Sequence, residues 1–334
     1  MTMGQQDLIL GIETSCDDTS VALVAQDGTI AACETFNQFE IHAGYGGVFP
    51  ELASRAHVQA ILPAVDKVMA AVDHDRSRIK AIGVTRGPGL IGSLLVGVNA
   101  GQALGFAWDK PVYGINHLRG HLRSPDLEEK RIEYPAVMLL VSGGHTLLAY
   151  LANQSDVTLL GTTRDDSAGE SYDKVARMIG LGMPGGPAID KLAKTGKSVF
   201  DFPRPMMHQG YEFSFSGLKS SVARLLEKEP DCAKEDIATS FVDACLDVLE
   251  KKLRRAVDEY QPKSLVVVGG VSASPQLRAQ VDAICTETGV KSCLPPLKWA
   301  TDNAAMIALA AWDYVAKDLE PDTVPTPSLA VSAW

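Results

Sequence analysis

The chain has 334 residues, a length that suggests two domains with sizeable cores and excludes a small disulfide scaffold. Hydrophobic residues make up 46% and charged residues 22%, which are ordinary globular values and exclude a disordered chain. With 31 Lys and Arg against 41 Asp and Glu, the formal net charge is −10. A free-standing nucleic-acid-binding domain normally carries the opposite sign, because much of its affinity comes from neutralising phosphates.

The cysteines and the N-terminal sequence predict a cytoplasmic protein. None of the six cysteines forms a C-x-x-C pair, and the first seven residues lack the basic and apolar regions of a signal peptide. Two stretches, 87–108 and 134–155, contain no charged residue and are long enough to span a bilayer. We expect neither to do so, because Gly-Pro-Gly interrupts the first and a Ser-Gly-Gly-His turn divides the second into two strands.

The predicted elements of the first half begin with two short apolar strands around a polar turn that carries Asp17 and Asp18. A helix follows, and then a strand that ends at a Gly-Pro-Gly break, a buried helix and a further strand. In chain order these are strands 8–12 and 21–25, helix 51–72, strand 81–85, a helix to about 107 and strand 111–115.

The pattern then starts again with a second strand pair around the turn Ser142-Gly143-Gly144-His145. Helices, an irregular stretch and a last predicted strand follow it, and that strand ends at Gly269-Gly270. In chain order these are strands 135–141 and 146–151, helix 169–179, a break at 183–187, helix 188–194, the irregular stretch 200–216, helix 234–260, strand 264–268 and helices starting at Pro275 and Thr301.

Both halves therefore predict an α/β fold of two related lobes. Such lobes would place Asp17-Asp18, Ser142-Gly143-Gly144 and Gly269-Gly270 around one interlobe cleft. Glycine permits close backbone approach and consecutive N–H groups bind anions, so these turns suit a nucleotide. Taken singly, a glycine pair more often marks a simple turn. We expect an N-terminal lobe of 1–118 plus 301–334 and a C-terminal lobe of 119–300.

Two segments resemble phosphate-binding motifs, but each lacks a residue that its motif requires. Gly87-Pro88-Gly89-Leu90-Ile91-Gly92 satisfies G-x-G-x-x-G between a strand and a helix, as a dinucleotide site requires. The next strand, however, ends in Asn116-His117, where a ribose-binding acid should lie. Gly196-Lys197-Ser198 resembles the end of a P-loop, but the first glycine of that motif would fall on Lys191.

The segment His117-Leu118-Arg119-Gly120-His121 is a candidate metal site. Residues four apart share one helix face, so two imidazoles can reach one ion, and the end of a strand is where open α/β sheets bind ligands. Leu118 stands where a zinc peptidase of the H-E-x-x-H type has its glutamate. Asp302 is a candidate third ligand, and such a set suits iron(II), with zinc as the alternative. Surface or capping histidines and a helix N-terminal carboxylate remain the alternatives.

A second cluster of acids lies at 165–174. Acids in the first turn of a helix usually serve as caps, which is the simpler interpretation here. One of them could instead accept hydrogen bonds from ribose hydroxyl groups.

Seven segments of the chain together resemble the TsaD family of bacterial tRNA N6-adenosine threonylcarbamoyltransferases. They occur in the order seen in that family and span nearly the whole chain. They are IETSCDDT at 12–19, GGVFPELASR at 46–55, GPGL at 87–90, HLRGH at 117–121, LVSGGHT at 140–146, FSFSGLK at 213–219 and TDN at 301–303.

The resemblance implies the actin/Hsp70/sugar-kinase (ribonuclease H-like) superfold, in agreement with the two predicted lobes. It also implies transfer of a threonylcarbamoyl group from threonylcarbamoyl-adenylate to N6 of the adenosine beside the anticodon, in tRNAs that read codons starting with A. One divalent metal per subunit is expected, commonly assigned as Fe²⁺, with Zn²⁺ as the alternative. His117, His121 and Asp302 would hold it.

The resemblance also implies substrate-binding residues. Asp173, Gly186 and Asp190 would contact the nucleoside portion, and the adenylate phosphate and carbamoyl region would be lined by Leu140, Val141, Ser142, Gly143 and Gly144. The chain departs from the family pattern at three positions. Ser274 replaces the usual Asn of a Val-Ser-Ala-Asn segment and shortens or removes a contact to the adenine, Ala304 replaces a Gly, and Arg119 stands where bacterial members often have Glu.

The expected chemistry requires orienting a weakly nucleophilic amine, stabilising the developing oxyanion and accepting a proton. We expect Asp17 to be the acid near the amine, as base or orienter, with Asp18 as the second candidate. The alternative is a hairpin turn that aspartates merely keep polar.

The resemblance implies work in a complex with a paralogous scaffold protein (TsaB) and a P-loop ATPase (TsaE), on a tRNA substrate. The charge of −10 then indicates that tRNA is poorly held by this chain alone. Lys251-Lys252 with Arg254-Arg255 is a candidate basic patch, although a solvated helix face explains it more simply. Two other functions stay open: an ATP-dependent phosphotransferase or ATPase of the same superfold, which would have no use for the histidine pair, and a non-catalytic scaffold paralogue.

Overall fold

The computed structural model describes residues 6–42, 45, 47–129, 131–182 and 184–334. Gly46 and Met183, which belong to two segments discussed above, lie outside these residues. The chain divides into two compact units: unit 1 comprises residues up to Arg131 together with Pro295–Trp334, and unit 2 comprises Ile132–Leu294. This division assigns 119–131 and 295–300 to unit 1, whereas they are predicted to belong to the C-terminal lobe. The predicted boundaries after 118 and before 301 stay a prediction.

Unit 1 is built on a five-stranded mixed sheet with the strand order β3-β2-β1-β4-β5. Strands β1, β2 and β3 pair antiparallel, whereas β4 and β5 join β1 in parallel. The elements are β1 (Leu8–Glu13), β2 (Asp18–Ala25), β3 (Ile30–Asn37), α1 (Phe39–His42), α2 (Pro50–Ala70), β4 (Ile79–Gly87), α3 (Ile91–Trp108), β5 (Val112–Asn116), α4 (His117–Arg123) and α10 (Ala304–Ala316).

Helices cover both faces of this sheet, which explains why β1 is apolar without alternation. Ile9 faces a core formed with α10, while Leu8 and Leu10 face a second core formed with α2. The helix α10 approaches β1 closely at Gly11, where a Cβ atom would collide with the carbonyl oxygen of Ala304. Gly11 thus brings the N-terminus of α10, and with it residue 302, against β1.

Unit 2 repeats the same topology with the strand order β8-β7-β6-β9-β10. Strands β6, β7 and β8 are again antiparallel, and β9 and β10 are again parallel to their neighbours. The predicted structural repeat is therefore confirmed. The elements are β6 (Ala136–Val141), β7 (Thr146–Leu151), β8 (Val157–Thr162), α5 (Ala168–Met178), α6 (Gly185–Leu192), α7 (Ser216–Lys228), α8 (Lys234–Tyr260), β9 (Ser264–Val268), α9 (Pro275–Thr288) and β10 (Lys291–Cys293).

Five elements were not predicted from the sequence: α1, β3, β8, β10 and α7. Most residues of strand β3 are partly exposed, and the strand carries Cys33, Glu34 and Thr35. Its sequence therefore shows only a weak pattern of apolar residues. Strand β10 has three residues, and α7 begins with Ser-Gly, a pair that does not predict a helix start. Asp18, predicted within a turn, is instead the first residue of β2.

Among the described residues, α3 alone is long and apolar enough to cross a membrane by length and composition, and a third of it is buried within the protein. A single helix of this kind is weak evidence for a span, because core helices of globular proteins pass the same test. The other uncharged stretch, 134–155, contains the hairpin of β6 and β7, as predicted.

Candidate metal centre

The two histidines of the H-x-x-x-H segment lie on one face of α4, as predicted. Asn116 starts this helix: its Oδ1 accepts a hydrogen bond from Leu118 N at 3.0 Å, a typical N-cap. The imidazole rings of His117 and His121 are 4.7 Å apart and nearly perpendicular. Both rings are buried, with 6% of His117 and none of His121 exposed.

Asp302 lies beside these histidines. Asn303 caps α10 through a hydrogen bond from Met306 N to its Oδ1 at 3.0 Å, and this cap fixes the residue before it. Asp302 Oδ1 lies 3.0 Å from His121 Nε2 and 3.6 Å from His117 Nε2. The three candidate ligand atoms lie within 4.8 Å of one another.

The residues fit a divalent metal ion. Neither ring nitrogen of His121 has a hydrogen-bond partner among the described residues, although the ring is fully buried. Buried polar atoms without partners are rare in folded proteins, and an ion held at this position would satisfy one of them. Two imidazoles and a carboxylate are donors that iron(II) and zinc both accept.

A buried carboxylate, Glu13 at the end of β1, contacts His117 from behind. Its Oε2 lies 2.9 Å from His117 Nδ1 and accepts a hydrogen bond from Thr85 Oγ1 at 2.6 Å. Burial alone would lower the pKa of His117, but Glu13 and Asp302 outweigh it and raise that pKa to about 9. Burial likewise opposes ionisation of Glu13, and the charge of His117 overcomes it, so the pKa of Glu13 lies below its usual value. Glu13 was not among the predicted site residues; its signal in the sequence is an acid at the end of an otherwise apolar strand.

Asp17 and Asp18 are half-buried at the start of β2. Burial, followed by the charges of Asp17, Asp302 and Glu13, raises the pKa of Asp18 to about 7. One carboxylate oxygen of Asp18, Oδ1, is buried without a hydrogen-bond partner among the described residues. Asp18 thus combines a raised pKa with an unused acceptor.

Arg119, one of the departures from the family pattern, holds the C-terminal segment against α4. Its guanidinium lies 3.7 Å from the ring centre of Trp334, and its Nε donates to Ala333 O at 2.9 Å. Asn116 Nδ2 donates to Ala330 O at 2.7 Å and to Ala333 O at 3.0 Å. The segment 330–334 therefore packs on the helix that carries both histidines.

In unit 2, the predicted phosphate-binding residues form the turn between β6 and β7. Leu140 and Val141 are fully buried at the end of β6, and as neighbours in a strand they point to opposite faces of the sheet. Ser142 Oγ accepts a hydrogen bond from His145 N at 3.1 Å, which closes the turn. Gly143 and Gly144 are exposed, and a Cβ atom on either would meet nothing within 4 Å. Their proposed role in substrate binding stays a prediction.

The predicted nucleoside-binding residues also lie in unit 2. Asp173 on α5 accepts a hydrogen bond from Gly185 N at 2.9 Å, at the start of α6, where Gly186 follows. Asp190 is 9% exposed, and burial, partly opposed by a hydrogen bond from Ser274, raises its pKa. Asp190 and Ser274 are thus brought together, although their proposed contact with a nucleoside stays untested.

The candidate basic patch on α8 is wrong at Lys252, which is fully buried. Its Nζ donates to the carbonyl oxygens of Met206, Gln209 and Gly210. Lysine can be buried here because three backbone acceptors surround its ammonium group. Arg254 pairs with Glu250 and Glu287, so two of the four basic residues of the patch do not present a free charge.

Two α/β units of one topology, with a His-His-Asp cluster in unit 1, define a protein of the actin/Hsp70/sugar-kinase superfold that carries a candidate metal centre. Solved structures share this fold. HypF of T. kodakarensis has a TM-score of 0.59 at 13% identity, covering 96% of this chain and 49% of that chain. Component A of the (R)-2-hydroxyglutaryl-CoA dehydratase of Acidaminococcus fermentans has a TM-score of 0.53 at 14% identity, covering 93% and 99%. At such identities the likeness shows the fold alone.

Sequence comparison identifies the family. The family model described as "TsaD: tRNA N6-adenosine threonylcarbamoyltransferase" matches residues 29–309. Proteins of that name are 45% identical in Staphylococcus haemolyticus, over 93% of this chain and 92% of the relative, and 47% identical in Ralstonia pickettii, over 91% and 90%. The chain belongs to the TsaD family.

Proposed function

We propose that this chain transfers the threonylcarbamoyl group of threonylcarbamoyl-adenylate to N6 of the adenosine beside the anticodon, in tRNAs that read codons starting with A. Membership of a family of tRNA N6-adenosine threonylcarbamoyltransferases, over nearly the whole chain, carries the proposal. The intact cluster of His117, His121 and Asp302 supports it against a non-catalytic scaffold paralogue. The same cluster has no use in a simple ATP-dependent phosphotransferase of this superfold.

We propose that His117, His121 and Asp302 hold one divalent metal ion, with Fe²⁺ favoured and Zn²⁺ as the alternative. When bound, such an ion supplies Lewis acidity to a carbonyl or phosphate oxygen of the donor. Two observations support this ligand set. The ring nitrogens of His121 are buried without a hydrogen-bond partner among the described residues, and Nε2 of each histidine lies within 3.6 Å of Asp302 Oδ1.

Asp18 is the stronger candidate for the group that accepts a proton from the adenine amine. A general base works best when its pKa lies near the working pH, and the pKa of Asp18 is raised to about 7. Asp17 is the first candidate from the sequence. Its charge contributes to the raised pKa of Asp18. In unit 2, the exposed glycines Gly143 and Gly144 leave room for a substrate close to the backbone, which supports their role at the adenylate phosphate.

An apolar face of unit 1 supports the expected protein partner, a paralogous scaffold such as TsaB. Val58 and Leu62 on α2, and Ile91, Leu95 and Phe106 on α3, are between 44% and 93% exposed. Residues at these spacings share one face of each helix, and an apolar patch of this kind typically marks an interface. Leu62→Lys should prevent co-purification with a TsaB partner, whereas Gln59→Lys, a change at an exposed polar residue of the same helix, should not.

Reconstitution tests the activity directly. The protein is given threonylcarbamoyl-adenylate and unmodified tRNA, with and without TsaB and TsaE partners, and the digested tRNA is analysed by mass spectrometry. We expect threonylcarbamoyladenosine with the wild-type chain and a loss of at least about 100-fold with His117→Ala. Absence of product under every combination would refute the transferase assignment.

A further inference from the structure

Glu13 is a buried carboxylate with no place in the chemistry described so far. It is 1% exposed and ends β1, a strand that is otherwise apolar. A buried charge is costly unless it is paired and hydrogen-bonded. Glu13 meets this requirement through Ser15 N on Oε1, and through Thr85 Oγ1 and His117 Nδ1 on Oε2. The fold therefore maintains a carboxylate directly behind one candidate metal ligand.

We propose that Glu13 is the positioning residue that makes Nε2 of His117 the metal-binding atom and strengthens it as a donor. This inference rests on the metal centre proposed above. A neutral imidazole has one donor and one acceptor nitrogen, and an ionised carboxylate only accepts. Because Glu13 Oε2 lies 2.9 Å from Nδ1, the ring keeps its proton on Nδ1 when a metal ion replaces the proton on Nε2, and Nε2 supplies the lone pair that binds the ion.

The surroundings of the ring support this orientation. His117 Nε2 points toward Asp302, whose Oδ1 is 3.6 Å away. Thr85 on the neighbouring strand β4 donates to the same Glu13 oxygen that faces the histidine, which restricts rotation of the carboxylate. Ser15 Oγ, at 3.3 Å from Nδ1, is a second and longer contact on the same side of the ring.

His121 lacks such support, and the contrast makes the two ligands unequal. Neither of its ring nitrogens has a hydrogen-bond partner among the described residues. Its ring is buried on α4, and the carboxylate beside it, Asp302, lies 3.0 Å from Nε2 and not behind Nδ1. The hydrogen bond to Glu13 therefore supports His117 directly, and we expect its loss to weaken metal binding without displacing either side chain.

The first test measures Zn²⁺ affinity by competition with a fluorescent chelator, on the full chain. Glu13→Gln keeps the shape and one acceptor oxygen but removes the charge, so affinity should fall by about 10- to 100-fold. Thr85→Val should cause a smaller loss. The control is Glu34→Gln, which removes a surface carboxylate of the same unit that pairs with Lys67. Affinity of Glu13→Gln within twofold of wild type would overturn the inference.

The second test reads the protonated nitrogen directly in the wild-type chain. Long-range ¹H–¹⁵N NMR of the Zn²⁺-loaded wild-type chain should show His117 with its proton on Nδ1, with the resonances assigned by their absence in His117→Gln. A proton on Nε2 overturns the role of Glu13 and leaves the metal centre standing. A wild-type chain that binds no Zn²⁺, with His121→Ala indistinguishable from it, overturns the metal centre and this inference together.

Discussion

At the scale of single residues, Asp18 has a carboxyl group whose ionisation opposes folding. Its pKa is about 7 in the folded protein, above the ordinary 3.8 of an aspartate, because it is buried and surrounded by like charges. The folded state therefore binds more protons than the unfolded state between about pH 4 and 7, and Asp18 lowers stability as the pH rises through this window. A group kept at such a cost is typical of a functional site.

Asp18→Asn removes the ionisation and should stabilise the metal-free protein at pH 8 by about 1–2 kcal/mol. The gain should shrink as the pH falls and vanish below about pH 3, where wild-type Asp18 is protonated in both states. Urea denaturation at a series of pH values measures the difference. Asp66→Asn, at a side chain 80% exposed on α2, is the control. A stability difference that is constant with pH would contradict the raised pKa.

Lys252 provides a second test at this scale. Lys252→Met keeps the apolar stem but leaves the carbonyl oxygens of Met206, Gln209 and Gly210 without their donor. Unsatisfied buried acceptors are costly, so we expect a loss of about 2–4 kcal/mol in the free energy of unfolding. Lys251→Met, at the exposed neighbouring position, should change it by less than about 0.5 kcal/mol. Equal effects of the two substitutions would show that the hydrogen bonds from Lys252 to residues 206–210 do not stabilise the protein.

At the scale of elements, periodicity alone predicted much of the structure. The long helix α8 was predicted at 234–260 and occurs there, since its apolar positions recur at helical spacing over many turns. The edge strands β3 and β10 could not be predicted in this way, because one is mostly partly exposed and the other has three residues.

In the candidate site, too, local features could be predicted from the sequence and long-range contacts could not. The pairing of His117 with His121 follows from helical spacing, which is a local property of the sequence. The contact of His117 with Glu13 joins residues 104 positions apart, and it depends on the order of the strands in the sheet. No local pattern contains that order, so the role of Glu13 emerged from the structure alone.

Gly11 tests how closely β1 and α10 must approach. Gly11→Ala would place a Cβ atom against the backbone of Ala304, which cannot move away without shifting α10. We expect a loss of about 1–3 kcal/mol in stability, measured by urea denaturation, together with weaker Zn²⁺ binding because Asp302 precedes this helix. Gly182→Ala, at an exposed glycine of unit 2 with open space around its Cα, is the control. Unchanged stability in Gly11→Ala would contradict the close approach.

At the scale of the whole molecule, the chain contains two units with separate hydrophobic cores. Every residue in the core of unit 2 lies within 137–294, and the two cores of unit 1 use residues outside that range. The three candidate metal ligands and Glu13 all belong to unit 1, whereas the glycine turn of Ser142–Gly144 belongs to unit 2. The proposed metal site and the proposed donor site therefore lie in different units of the chain.

This division predicts that unit 1 folds and binds metal without unit 2. The chain leaves and re-enters unit 1 at nearby points, since Glu128 Oε1 lies 2.6 Å from Lys298 Nζ, so a short Gly/Ser linker can replace 132–294. We expect the shortened protein to unfold cooperatively by circular dichroism, to bind Zn²⁺ as the full chain does and to lack transferase activity. His121→Ala in the shortened protein is the control and should abolish Zn²⁺ binding. A shortened protein that folds without binding Zn²⁺ would mean that unit 2 completes the metal centre, and one that does not fold would mean that the two cores depend on each other.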